Sequence, residues 1–169
     1  RTIPVNGKFS NRQKAVYSSV LHVMKEATNM LRPGTMFKEY NAEIGSIMEN
    51  ELIGLGLLDK HDVQKQDTKN PLFKRYFMHG TSHYLGLDVH DVGAYRLGEY
   101  PIPLEEGMVL TVEPGLYIND LLPVPEGQPE IEEPWKGIGI RIEDDVLVSK
   151  EGVEVLSDRA AKKLIDMED

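Results

Sequence analysis

No cysteine occurs among the 169 residues. Disulfide scaffolds, thiolate zinc sites and cysteine nucleophiles are thereby excluded, and any metal site must be built from His, Asp and Glu. Positive charge is also scarce: Lys and Arg total 19 against 28 Asp and Glu, a formal net charge of −9. That balance argues against nucleic acid or an anionic membrane as the main partner, because both select a basic footprint. No apolar run approaches the roughly 20 residues that a membrane-spanning helix needs. The first residues are polar, basic and proline-containing, unlike a signal peptide, and a cytoplasmic location is expected. The opening Arg1-Thr2-Ile3-Pro4 also lacks an initiator methionine, which reads as a trimmed or partial chain. What is present, 40% hydrophobic and 28% charged residues, describes one folded domain rather than a disordered tract.

A helical stripe runs from Asn11 to Leu31, with Val16, Val20, Val23, Met24, Ala27 and Met30 recurring at spacings of three and four. Ser10 is placed to cap its start, and Pro33-Gly34 to stop it. Phe37, Ile44, Ile47, Met48 and Leu52 form a second helical face that ends near Gly54-Leu55-Gly56. Residues 59–70 are polar and lysine-rich, and fit a short helical turn followed by a loop. Beyond residue 78 the pattern changes to strands: 108–112, a resumption at 116–118, a long strand over 137–148 and a short one over 153–156. Four of the ten prolines (123, 125, 129 and 134) mark residues 119–137 as a long excursion. Residues 159–167 fit a closing helix.

The chemistry gathers in the strand-rich half. His79, His83 and His90 fall within twelve residues of a chain that has five histidines. Imidazole binds metals and relays protons near neutral pH, although hydrogen-bonded structural histidines in a glycine-bearing loop would look the same. Glu113 ends the apolar strand Leu110-Thr111-Val112. In Ile138-Gly139-Ile140-Arg141-Ile142-Glu143 the isoleucines share one face, and Arg141 and Glu143 the other. A surface strand alternates in the same way. Gly137 and Gly139, however, leave space on the polar face beside Arg141 for a ligand or another backbone. One histidine and two glutamates suit Mn, Co or Zn, with Arg141 able to orient Glu143 through a charge-assisted fork. A metal hydrolase is as far as residue chemistry reaches.

Four motifs in order carry a resemblance: His79-Gly-Thr-Ser-His83, Leu87-Asp-Val-His90-Asp91, Gly107-Met-Val-Leu-Thr-Val-Glu113-Pro-Gly and Gly139-Ile-Arg141-Ile-Glu143-Asp-Asp. With Pro4-Val5-Asn6-Gly7-Lys8-Phe9-Ser10 before the first helix, the chain resembles, over essentially its whole length, the Xaa-Pro aminopeptidase (aminopeptidase P) branch of the pita-bread metallopeptidases. The resemblance implies an α+β architecture, the pita-bread (creatinase/aminopeptidase) fold, here incomplete: a curved antiparallel sheet backed by helices. Residues 1–169 would form a partial catalytic domain, helical over about 10–77, with the metal-site strands and loops over about 78–158. The implied centre holds two metal ions, usually Mn2+, on two aspartates, one histidine and two glutamates. By motif, His83 and Glu113 are ligands and Glu143 is the bridging one. His79 and His90 match substrate-contacting and proton-relay histidines, Val89 lies where the proline ring is accommodated, and Arg141 stands beside the bridging glutamate. His79, His90, Glu113 and Arg141 are thus the implied catalytic residues.

The family's two aspartates precede the Thr2–Gly7 region, and Asp59, Asp62 and Asp67 sit in the wrong motif context to replace them. One ion or none is therefore expected on this chain, and activity of the chain alone is doubtful. The implied substrate is a peptide with proline second, whose tertiary amide has no N–H, and the product is its freed first residue. A prolidase-type dipeptidase is the nearest rival, although Ser82 stands where that pattern favours a second glycine. A non-catalytic peptide- or protein-binding module on the same fold is the third reading. Unpaired sheet edges would further favour a homo-oligomer.

Overall fold

The computed structural model describes residues 1–119, 121 and 129–167. Helices come first and antiparallel strands follow, the order of an α+β chain. Helix α1 spans Asn11–Met30 and α2 spans Phe37–Gly54. The α1 start is a full capping box: Ser10 Oγ accepts from the Gln13 amide, and the Gln13 side chain accepts from the Ser10 amide. The apolar stripe of α1 (Val16, Val20, Val23 and Ala27) is wholly buried and packs with Ile44, Met48 and Leu52 of α2. Pro33-Gly34 separates the two helices, with Gly34 at φ +93°. A short helix α3 spans Lys60–Lys65, capped by Asp59.

Seven strands follow among the described residues: β1 Arg96–Leu97, β2 Tyr100–Pro101, β3 Val109–Val112, β4 Gly115–Tyr117, β5 Gly139–Arg141, β6 Asp144–Ser149 and β7 Gly152–Val155. They pair antiparallel as β1-β2, β3-β6-β7 and β4-β5. The long strand expected over 137–148 is therefore two strands, interrupted at Ile142-Glu143. The break is matched across the ladder. Val112 pairs with Asp144 and Gly115 with Arg141, so both ladders keep one register, with Glu113 opposite Glu143 and Pro114 opposite Ile142. Pro114 has no N–H to give the ladder, which accounts for the interruption. The helix expected over 159–167 is reduced to a single 3-10 turn at Leu164–Asp166. Of the proline-rich excursion, 120 and 122–128 (Pro123 and Pro125 among them) lie outside the described residues, while Glu133–Trp135 forms a 3-10 turn.

Residues 1–2 run beside the interrupted strand. Thr2 Oγ1 bonds both the carbonyl (3.0 Å) and the amide (3.1 Å) of Arg141. Arg1 donates to the Glu143 carbonyl, which the interruption leaves outside the ladder, and to Asp144 Oδ1 at 2.6 Å. Asp144 is 2% exposed. It also accepts from Lys162 (2.5 Å) and Ser157 (2.8 Å), so its carboxylate is buried with its charge compensated.

Candidate active site

Segment 81–85 lies along the outer edge of β3. The Thr111 amide donates to the His83 carbonyl (2.9 Å), the Glu113 amide to the Thr81 carbonyl (2.8 Å) and the Leu85 amide to the Val109 carbonyl (3.1 Å). This pairing places the His83 ring over the end of β3. Its Nδ1 lies 2.9 Å from the Tyr84 carbonyl; a carbonyl only accepts, so Nδ1 carries the proton and Nε2 faces Glu113 Oε1 at 3.0 Å. A nitrogen lone pair and a carboxylate oxygen at that distance repel unless a proton or a metal ion lies between them. Glu113 is 7% exposed, and the Thr111 hydroxyl donates to its Oε1 at 3.4 Å. The pair offers one imidazole and one carboxylate donor, a set that fits a borderline divalent ion such as Mn, Co or Zn.

Glu143 stands on the same face of the strand pair as Glu113. Like charges directly opposite destabilise a ladder, and here Arg141 lies between them: Nη1 is 3.2 Å from Glu113 Oε2, and Nε is 3.9 Å from Glu143 Oε2. The structure thus brings His83 and Glu113 together and holds Glu143 to them through a guanidinium. Among the described residues, no three His, Asp or Glu side chains converge closely enough to hold an ion.

His79 occupies a separate position. Its Nδ1 donates to the Gly80 carbonyl (2.8 Å), its Nε2 lies 3.0 Å from the Tyr117 hydroxyl, and its ring meets Phe77 and Tyr117 edge-on. His90 lies with its ring centroid 4.3 Å from that of His83, and Val89 beside it is 69% exposed. A cavity of about 550 Å³ opens beside His79, with Phe73, Phe77 and Met78 on its apolar side and Asn41 and Lys74 among its polar lining.

Tyr117 was not marked as a site residue by the sequence pattern, which shows it only as a β residue between Leu116 and Ile118. Its hydroxyl contacts His79 at 3.0 Å, and the Arg141 charge lies near it. Burial first, and the nearby Glu113 charge after it, push its ionisation above the usual tyrosine range, while Arg141 opposes them. Its ring lies against Gly139, so the space that this glycine leaves beside Arg141 holds a side chain of the chain itself. The sequence signal was the pair of glycines, at 115 and 139, facing large residues across the ladder.

The sequence profile of Metallopeptidase family M24 matches residues 1–150. Over 168 residues the chain is 46% identical to an Xaa-Pro aminopeptidase of Escherichia coli (strain K12), covering 99% of this chain and 36% of the relative. An Xaa-Pro aminopeptidase of Haemophilus influenzae is 44% identical over 170 residues, covering 99% of this chain and 37% of the relative. The structure of aminopeptidase P from Escherichia coli with the inhibitor Pro-Leu matches with a TM-score of 0.81 at 44% identity, over 99% of this chain and 36% of that one. A zinc-substituted Escherichia coli aminopeptidase P in complex with product matches with the same TM-score and coverage. The chain therefore spans little more than a third of the length of these relatives, and within that span its α+β fold is the aminopeptidase P, or pita-bread, fold. A profile match over most of the chain and close agreement with solved relatives lead to one assignment: the chain belongs to metallopeptidase family M24.

Proposed function

We propose that these 169 residues serve a manganese-dependent Xaa-Pro aminopeptidase, which releases the first residue of peptides with proline in second position. The observation that carries the reading is the His83–Glu113 pair, a buried carboxylate facing the free nitrogen of an imidazole at 3.0 Å. His83 and Glu113 would hold one ion, and Glu143, set beside them by Arg141, would help to hold a second. Metal held there would lower the pKa of water toward neutrality and stabilise charge in the hydrolytic step. Glu113 moves the proton. His90 hydrogen-bonds the substrate, His79 contacts it with its ring while both its nitrogens hold the protein, Val89 contacts the proline ring, and Arg141 orients Glu143. The cavity beside His79 gives room for residues after the proline, which favours longer peptides over dipeptides. A cytoplasmic location belongs to the same reading.

The test uses a protein of the relatives' full length that carries this segment, loaded with Mn2+ and given Xaa-Pro dipeptides and longer Xaa-Pro peptides. Cleavage of the longer peptides is expected, together with loss of bound manganese and at least a 100-fold fall in rate for His83→Ala, the scale set by loss of a metal ligand or its support. Cleavage of dipeptides alone would identify a prolidase. Bound metal with neither peptide cleaved would identify a binding module. For the 169 residues alone, titration calorimetry is expected to show at most one weakly held Mn2+.

A further inference from the structure

On one face of the β4-β5 pair, residues alternate by size across the ladder. Gly115 stands opposite Arg141, and Tyr117 opposite Gly139. A Cβ placed on Gly115 would collide with the Tyr117 hydroxyl, and one placed on Gly139 would lie 3.3 Å from the Tyr117 ring. The Tyr117 ring therefore lies across two positions where the strands carry no side chain, and its hydroxyl is delivered between Arg141 and His79. Neither glycine has a positive φ. Backbone conformation does not demand glycine at 115 or 139, so the reason for it must be space.

The consequence for His79 follows from donor and acceptor counting. Its Nδ1 gives its proton to the Gly80 carbonyl, which leaves Nε2 as the acceptor for the Tyr117 O–H at 3.0 Å. Both ring nitrogens are then committed. The imidazole is fixed in one tautomer and one orientation, held edge-on between Phe77 and Tyr117. The charge of Arg141, whose guanidinium contacts Glu113, lies close to the same hydroxyl. A single phenol thus stands between the histidine it bonds and the arginine that contacts both glutamates.

We propose that Tyr117 is a positioning residue for His79, seated in a cradle that Gly115 and Gly139 clear for it, and that the glycine of the Glu113-Pro114-Gly115 motif serves this cradle. The inference rests on the reading of His79 as a substrate contact only for its effect on turnover; the placement of the ring stands independently.

Two variants test it. Tyr117→Phe removes the hydroxyl and keeps the ring, while Gly115→Ala keeps the hydroxyl and displaces it. In the histidine-labelled 169-residue chain, nitrogen–proton correlation spectra are expected to show His79 protonated on Nδ1, with Nε2 a hydrogen-bonded acceptor. Both variants should move the Nε2 resonance toward that of an unbonded acceptor, with the His22 and His61 signals unchanged. An unmoved His79 signal in Tyr117→Phe would overturn the positioning role, and one moved in Tyr117→Phe but not in Gly115→Ala would overturn the cradle. In the manganese-loaded protein of full relative length, Tyr117→Phe should raise KM for an Xaa-Pro tripeptide about tenfold, the worth of one hydrogen bond, with kcat within about twofold. A moved resonance with unchanged KM would uphold the placement and remove His79 from the substrate contacts.

Discussion

Tyr17, Tyr40, Tyr76, Tyr84 and Tyr117 all have their ionisation pushed above the ordinary value of 10.0, in each case mainly by burial. The effect is greatest at Tyr40, whose hydroxyl bonds Ser82 Oγ at 3.1 Å and ties α2 to the residue before His83. An unfolded chain gives up these protons near pH 10, whereas the native state keeps them, so the native state binds more protons. Stability is then unaffected below about pH 10 and falls as pH rises beyond it. The urea midpoint should accordingly hold steady to about pH 10 and drop above it, with a shallower drop in Tyr40→Phe; a midpoint unchanged through about pH 11 would contradict this. Ser82 shows what a motif letter hides. It separates the sequence from the prolidase pattern, yet its partner Tyr40 lies 42 residues upstream, where nothing in the local sequence announces it.

Helices were the elements most open to reading from the sequence, because their signals are local. The capping box at Ser10 and Gln13 and the three-four stripe of α1 lie within one stretch of chain. Strands were less open. The break at Ile142-Glu143 depends on Pro114 across the ladder and on Arg1, whose side chain takes up the Glu143 carbonyl from 142 residues away. The His83–Glu113 contact has the same character: each motif is visible alone, while the edge pairing of 81–85 with β3 that joins them is tertiary. Tyr117 was missed because alternation within a strand tells which face a residue shares, not which gap it fills. Strand β3 also carries a core load. Leu110 is fully buried, pairs with Val146 and bridges to Tyr84, so Leu110→Ala should cost about 2–5 kcal/mol in chemical denaturation. A loss well under about 1 kcal/mol would show that the site strand is not anchored by this core.

For the molecule as a whole, the outer edge of β3 is covered by residues 81–85, whereas β7 ends its sheet and the two-residue strands β1 and β2 form a sheet of their own. Leu97 and Tyr100 of that small sheet are strongly exposed, as are Leu87 and Val92 in the segment before it. Open edges beside apolar side chains favour self-pairing, so the 169-residue chain is expected to associate, and light scattering showing a clean monomer would contradict this. The stitch of Arg1 to Glu143 and Asp144 carries a further consequence, for the order of folding. It joins residues more than 140 positions apart, whereas α1 and α2 meet across a short turn. Contacts of such high sequence separation carry a large loop-closure entropy and lengthen the search. The helical pair should therefore form early, with the carboxylate end of the site fastened last. The glutamate opposite Glu113 then takes up its native setting only when the first residues of the chain have closed over it.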